Sequence, residues 1–137
     1  MCPMKLIIYT DGGSRGNPGH AGFGVYITDD KGKKIEGYAE YIGLTTNNQA
    51  EYRGAIWGLR RAKELGATSV EIRADSQLMV RQAMGEYKVK EPQIAVRYLE
   101  LKNAETALGC RVIYTHIPRE KNKNADALAN EAMDRKK

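Results

Sequence analysis

The chain has 137 residues, of which 22 are lysine or arginine and 17 are aspartate or glutamate, so its formal net charge is +5. This length suits one domain with a normal core, and the moderate basicity favours a polyanionic partner without identifying one. No apolar run approaches the roughly 20 residues of a membrane span, and the N-terminus has no signal-peptide pattern, which argues against a membrane protein.

The expected organisation is one domain over residues 1–137 with flexible ends at 1–4 and 135–137. Cys2 and Cys110 lie far apart and form no CxxC or Cys/His pattern, so a zinc site is not expected. A reducing cytoplasm in which both thiols are free is the expectation. The alternative is a disulfide between them that ties the N-terminus to a later strand.

The first predicted strand, over residues 6–10, is apolar and β-branched, as is typical of a buried central strand. It ends in Asp11, which is followed by Gly12 and Gly13. A carboxylate at the end of a buried strand needs cations, water or a metal ion nearby. Because Asp-Gly is also a common turn pair, a turn and a metal site both remain open for Asp11.

A stretch rich in glycine, residues 12–24, is predicted to be a turn. It lacks the Gly-Lys-Ser/Thr ending of a phosphate-binding loop, and no helical pattern follows it. Residues 23–28 and 35–42 are predicted to form two further strands, joined by a polar hairpin turn at 29–34. Together with the first strand, they are expected to form an antiparallel meander.

The first helix is predicted to begin at Thr46 or Asn47, both good N-cap residues, and to end at Gly66. Small residues along one line would let this helix lie close to the sheet, so that Glu51 points at the sheet surface from the second turn. The alternative for Glu51 is a solvated glutamate favoured by the helix dipole. The apolar stripe of the helix consists of Ala55, Ile56, Leu59, Ala62 and Leu65.

The fourth predicted strand covers residues 68–75 and, like the first, ends in an acidic residue, Asp75. A short helix over 76–84 follows it at once. Because this strand follows a helix, it should lie parallel to the first through a right-handed crossover. Asp11 and Asp75 would then lie side by side at the carboxyl ends of neighbouring strands, where sites form in α/β sheets. The alternative for Asp75 is a helix N-cap.

The last third of the chain is predicted to hold a loop at 85–92, a helix that begins at Pro92, and a strand over 111–116. Asn122 is predicted to cap a final helix, in which Asp126 lies in the second turn, away from the apolar face. A solvent-facing acid is the alternative for Asp126. Two interpretations are open for three residues of the loop at 85–92: they contact a phosphate backbone, or they are only solvated. These residues are Tyr87, Lys88 and Lys90.

Four carboxylates fall at the ends of elements on the same side of this predicted sheet. Clustered carboxylates repel one another and require cations nearby to stay ionised. Oxygen ligands without cysteine suit Mg²⁺, with Mn²⁺ as a possible substitute. Two such ions form the usual clamp for in-line phosphodiester displacement. The four residues are Asp11, Glu51, Asp75 and Asp126.

Four segments resemble, in order and spacing, the signature segments of type 1 ribonuclease H. The resemblance covers essentially the whole chain and implies the α/β ribonuclease H-like fold, a five-stranded mixed sheet with an antiparallel β1-β2-β3 meander, parallel β4 and β5, and helices on both faces. It also implies that the four carboxylates bind two metal ions and that the RNA strand of RNA–DNA hybrids is hydrolysed to 5′-phosphate and 3′-hydroxyl ends. The segments are residues 10–19, 46–51, 74–76 and 122–126.

The same resemblance implies a set of contacts to the hybrid substrate. Selection would rest on the 2′-hydroxyls of one strand and the deoxyribose shape of the other, with little base readout. Thr46 matches a position that contacts a phosphate of the DNA strand. Leu44 occupies a place where some members carry an arginine, which weakens this phosphate pocket. The implied contacts come from the backbone N–H groups of Gly12 and Gly13 and from the side chains of Asn17, Thr46, Asn47, Asn48 and Gln49.

Two departures from the family pattern concern the loops. Many members place a mobile histidine before the last helix, but the loop here resembles the shorter form, so Arg119 or Glu120 is expected to act in its place and His116 to be structural. Residues 85–92 are too few for the basic extension of some members. We therefore expect a compact, monomeric form without that protrusion or a separate hybrid-binding domain, whose affinity depends strongly on salt.

Two alternatives to this function remain open from the sequence. An integrase-like nuclease on the same fold would keep the carboxylates but change the substrate contacts, and the segment Asn47-Asn48-Gln49 argues against it. A catalytically silent nucleic-acid-binding domain would gain little from four carboxylates beneath a phosphate backbone.

Overall fold

The computed structural model describes residues 3–136, and within them a single five-stranded sheet carries four α-helices. The elements in chain order are β1 (Lys5–Arg15), β2 (Gly19–Asp29), β3 (Lys34–Thr45), α1 (Asn47–Leu65), β4 (Ser69–Ala74), α2 (Gln77–Ala83), α3 (Pro92–Leu108), β5 (Arg111–His116), a 3₁₀ turn (Arg119–Lys121) and α4 (Lys123–Arg135).

The strand order in the sheet is β3-β2-β1-β4-β5. β1 pairs antiparallel with β2, and β2 pairs antiparallel with β3, whereas β4 runs parallel to both β1 and β5. The mixed sheet that the sequence predicts is confirmed. β1 is the middle strand of the five, and its side chains at Leu6 and Ile8 are fully buried.

Helices cover both faces of the sheet, as alternate residues of β2 show. Phe23 and Val25 lie beside Gly54 and Gly58 of α1, whereas Gly24, which lies between them, faces the backbone of α4. Because successive side chains of a strand point to opposite faces, α1 and α4 must lie on opposite sides. The main core therefore forms between the sheet and α1.

The glycine-rich stretch is not the long turn that the sequence predicts. β1 continues to Arg15 and β2 begins at Gly19, so that only residues 16–18 turn. Gly12, Gly22 and Gly24 lie inside strands because helices pack directly on them: a Cβ on Gly12 would lie 2.5 Å from the backbone nitrogen of Glu51 in α1. The glycine density thus serves close packing between helix and strand.

The structure agrees with the sequence predictions for the ends of the helices and of the chain at three points and differs from them at three. The Thr46 hydroxyl accepts a hydrogen bond from the Gln49 N–H, and Gly66 ends α1 in the left-handed conformation, as predicted. α4 begins at residue 123, directly after Asn122, as predicted, but Asp126 lies in its first turn rather than in the predicted second turn. The predicted flexible ends are partly held: Met4 exchanges hydrogen bonds with Thr68, and Arg135 belongs to α4.

None of the helices within residues 3–136 is both long and apolar enough to span a membrane. Cys110 is half-buried against the core, whereas Cys2 lies outside the described residues, so the prediction of two free thiols stays a prediction.

Candidate functional site

An open cavity of about 370 Å³ lies where β1 and β4 end and α1 and α4 approach the sheet. All four predicted carboxylates line it. The remaining lining residues are mainly polar, so the cavity suits a charged or hydrated ligand. The lining comprises Asp11, Gly12, Gly13, Ser14, Arg15, Asn47, Glu51, Asp75, Arg119, Asp126, Asn130 and Met133.

Three of the carboxylates form a tight group, in which one oxygen each of Asp11, Glu51 and Asp75 lies within 4.8 Å of the others. The sheet register explains the first pair, because Thr10 and Ala74 are partners in the parallel β1–β4 ladder and each precedes one aspartate. Glu51 joins the group because α1 lies against β1 at Gly12, where a side chain would obstruct it.

Asp126 approaches the same group from α4 on the other face of the sheet. It lines the cavity, and its charge and a hydrogen bond help to raise the pKa of Asp11. Its Oδ1 lies 3.6 Å from Nη2 of Arg119, whose side chain is 77% exposed.

Burial and mutual repulsion control the protonation of the group. The largest cause that raises the pKa of Asp11, to about 8, is burial, and the nearby charge of Asp75 adds to it. Burial likewise raises the pKa of Glu51 well above its ordinary value, with further contributions from Asp11 and Asp75. Without a cation, the folded protein therefore favours partly protonated carboxyls at neutral pH.

The donor set fits a divalent cation. Oε1 of Glu51 accepts a hydrogen bond from the Gly12 N–H, whereas Oε2 is buried and has no hydrogen-bond partner among the described residues. A buried carboxylate oxygen without a donor is costly, and a hard cation would compensate for it. Three carboxylates within reach of one another, with no sulfur ligand, are typical of sites for Mg²⁺ or Mn²⁺.

The metal-free protein is expected to lose stability as the pH rises. A carboxyl whose pKa is higher in the folded than in the unfolded state binds its proton more tightly when folded, so folding weakens between the two pKa values. For Asp11 this window runs from 3.8 to about 8. After dialysis against EDTA, the melting temperature at pH 8.5 should be lower than at pH 5.5 by the equivalent of at least about 1 kcal/mol, roughly 3–5 °C.

Added Mg²⁺ should restore stability at pH 8.5, because a cation favours the ionised carboxylates. Asp11→Asn should remove much of the pH difference. Asp30→Asn, which changes an exposed acid in the β2–β3 turn, should retain it. A metal-free wild-type protein that melts at the same temperature at both pH values would contradict this electrostatic account.

Several residues predicted to contact substrate make internal contacts that build the cavity wall. The Gly12 N–H donates to Asp11 and Glu51. Oδ1 of Asn47 accepts from the Ser14 N–H at 2.6 Å, and the Asn47 N–H donates to Oδ1 of Asn17. These bonds fix the start of α1 against the end of β1 and the turn that follows it.

The other predicted contact residues differ in accessibility. Gln49 is buried, and its Oε1 accepts from Nε of Arg97 in α3 at 2.7 Å, so one side of its amide is engaged within the protein. Thr46 caps α1. Gly13 lines the cavity, and the half-buried Asn48 directly follows Asn47, which also lines it. Their roles towards a substrate stay predictions.

The three residues considered for the role of the family's mobile histidine lie in different places. Arg119 lines the cavity and forms an ion pair with Asp126. Glu120 lies in the 3₁₀ turn and His116 at the end of β5; both are exposed, and neither lines the cavity.

Sequence reasoning missed two asparagines at the site. Asn130, four residues after Asp126 and thus on the same side of α4, donates from Nδ2 to the Asp126 backbone oxygen and, at 3.4 Å, to its Oδ2. Helical spacing could have identified it. The second is Asn122, which the sequence presents only as a helix cap.

Comparison with known proteins links nearly the whole chain to one protein family. A family model described as reverse transcriptase-like matches residues 9–132. The bifunctional protein Rv2228c of Mycobacterium tuberculosis is 45% identical over 96% of the chain, which spans 36% of that protein's length. The ribonuclease H of Ruthia magnifica is 32% identical, with 96% of this chain and 97% of that protein covered.

Solved structures give the same result. The crystal structure of LC11-RNase H1 in complex with an RNA/DNA hybrid superimposes with a TM-score of 0.90 at 47% sequence identity. The match covers 95% of this chain and 97% of that one.

Proposed function

The chain belongs to the ribonuclease H family, and from this premise we propose that it is a metal-dependent endoribonuclease that hydrolyses the RNA strand of RNA–DNA hybrids to 5′-phosphate and 3′-hydroxyl ends. The observation that carries the proposal is the close grouping of Asp11, Glu51 and Asp75, within 4.8 Å, at the open edge of the sheet. Because the chain spans only 36% of Rv2228c, the proposal concerns the activity of this chain and not that of a longer protein.

The metal ions would be held by the four cavity carboxylates, with Asp11, Glu51 and Asp75 as the central group and Asp126 beside them. We propose two Mg²⁺ ions, for which Mn²⁺ can substitute. When bound, divalent ions supply Lewis-acid activation of water and stabilise the charge that develops on the phosphate and the leaving oxygen.

The protein's own groups orient this reaction. Asp11 and Glu51 are 8% and 7% exposed and share the Gly12 N–H, which holds both carboxylates in fixed positions. Such pre-organisation lowers the cost of arranging charges during the reaction. All four carboxylates come from one chain, which supports a monomeric enzyme.

Substrate contact would follow the rim of the cavity. Ser14, Asn17 and Asn47 are joined by hydrogen bonds there, and their polar groups suit contacts to sugars and phosphates rather than to base edges. The hybrid in the LC11-RNase H1 complex supports this substrate class for a relative of 47% identity. Leu44 lies three residues before the rim residue Asn47, and its side chain is 72% exposed. Because leucine carries no charge, other residues must hold the phosphate that an arginine would contact at this position.

Arg119 is expected to assist turnover from the exposed side of the cavity. Its guanidinium lies 3.6 Å from Asp126 and is free to approach a phosphate, since the side chain is 77% exposed. Arg119→Ala should lower kcat roughly tenfold with little change in the melting temperature. Glu120→Ala and His116→Ala, neighbours that do not line the cavity, should retain at least about half of the wild-type kcat when all three variants are compared in one steady-state cleavage assay. A full rate in Arg119→Ala together with a large loss in His116→Ala would overturn this assignment.

A panel of substrates tests the proposed specificity. One sequence should be supplied as RNA–DNA hybrid, double-stranded RNA, double-stranded DNA and single-stranded RNA, with Mg²⁺ or Mn²⁺. Internal cuts are expected only in the RNA of the hybrid. Cleavage of the double-stranded DNA would instead support an integrase-like nuclease.

A further inference from the structure

Asn122 stands at the N-cap of α4 but does not cap it. Asparagine is among the best N-cap residues because its side chain accepts from the first free N–H groups of a helix. Here the side chain makes no such bond. Its Nδ2 instead donates to the backbone oxygen of Thr10 at 2.9 Å and to Oδ2 of Asp75 at 3.1 Å.

This arrangement is costly for the fold. Asn122 is 1% exposed, and its Oδ1 is buried with no hydrogen-bond partner among the described residues. An unpaired buried polar atom and an unused helix cap both lower stability. Departures from local structural rules of this kind are typical of functional positions.

Among residues 3–136, Asn122 is the one side chain that donates a hydrogen bond to the carboxylate of Asp75. The other carboxylates have different donors: Asp11 and Glu51 share the Gly12 N–H, and Asp126 receives Nδ2 of Asn130. The orientation of Asp75 therefore depends on Asn122 in a way that the other three do not.

We propose that Asn122 is a positioning residue that holds the Asp75 carboxylate towards Asp11 for metal binding, an inference that rests on the proposed function. One NH₂ group donates both of its hydrogens, one to the strand residue that precedes Asp11 and one to Asp75, so it joins β1, the end of β4 and the start of α4. Because the amide is neutral, it orients the carboxylate without competing with a cation for its charge. Groups that orient metal ligands in this way commonly control affinity by 10–100-fold.

Direct metal binding to the protein without nucleic acid tests the inference. Asn122→Leu keeps the approximate shape and removes the unpaired Oδ1, which is stabilising, but it also removes the donor to Thr10 and Asp75, so its melting temperature should change by no more than about 5 °C. Its Mn²⁺ affinity, measured by calorimetry, should fall about tenfold or more. The Mg²⁺ concentration for half-maximal cleavage should rise by a similar factor while KM for the hybrid stays unchanged. Asn124→Ala, an exposed asparagine two residues further on, is the control.

A double-mutant cycle separates positioning from a general structural effect. If Asn122 acts through Asp75, Asn122→Leu should cost no further Mn²⁺ affinity in an Asp75→Asn background. Asn122→Ala serves the same cycle should the leucine variant fail to fold. Wild-type Mn²⁺ affinity in a folded Asn122 variant, or equal losses with and without Asp75, would overturn the positioning role. Absence of Mn²⁺ binding by the wild type would instead overturn the proposed metal centre.

Discussion

We expect Asp11→Asn to lower the rate of RNA cleavage in a hybrid by at least about a thousandfold, roughly 4 kcal/mol in the barrier, while hybrid binding stays within about threefold. Asp11 belongs to the carboxylate group, with an oxygen within 4.8 Å of oxygens of both Glu51 and Asp75. Asparagine keeps the size of the side chain but removes the charge that a divalent cation requires. Binding persists because the rim contacts are unchanged and one negative charge beneath the phosphate backbone is removed.

Single-turnover cleavage of labelled hybrid measures the rate. Fluorescence anisotropy with the same hybrid, in Ca²⁺ or without metal, measures the affinity. Asp75→Asn should behave in the same way. Asp30→Asn, an acidic residue in the β2–β3 turn, should cleave at the wild-type rate. More than a tenth of the wild-type rate in Asp11→Asn would show that the carboxylate group is not the catalytic centre.

Gly24→Ala is expected to cause the largest loss of stability among the glycine substitutions on the α4 face. A Cβ at this position would overlap the backbone oxygen of Ala125 and lie 2.6 Å from the backbone nitrogen of Ala129. Neither atom can move alone, so α4 must shift away from the sheet and carry Asp126 with it. We expect about 3 kcal/mol of destabilisation, on the order of 10 °C in melting temperature, and a reduced cleavage rate.

Gly37→Ala is the matched control for this packing argument. Gly37 also faces α4, but the nearest atom to its added Cβ is Cδ1 of Leu128 at 3.4 Å, the end of a flexible side chain. Its melting temperature should change by no more than about 3 °C. Similar melting temperatures for the Gly24 and Gly37 variants would contradict direct packing of the α4 backbone on β2.

The fold could be predicted from the sequence where one local signal dominated. Periodicity located α1, and its Thr46 cap and Gly66 end followed from side-chain chemistry. The glycines at 12–24 were misinterpreted because glycine signals either a turn or a close packing contact. Only the position of α1 and α4 over those strands decides between the two, and that is a property of the tertiary structure.

The same distinction between local signals and tertiary contacts applies to the candidate site. Asp11 and Asp75 were predictable as neighbours because parallel strands bring their carboxyl ends together. The buried bond of Gln49 to Arg97 joins residues 48 positions apart, and that of Asn122 to Thr10 joins residues 112 apart. No local sequence pattern contains such pairs, so the residues that support the carboxylates could be identified only from the structure.

The most direct test of the central claim is a cleavage assay with an RNA–DNA hybrid in which the RNA strand carries the label. With Mg²⁺, the purified protein should cut the RNA internally, leave 5′-phosphate and 3′-hydroxyl ends, and stop when EDTA is added. Intact RNA in the presence of Mg²⁺ or Mn²⁺, together with measurable hybrid binding, would contradict the account and identify the chain as a binding domain without catalytic activity.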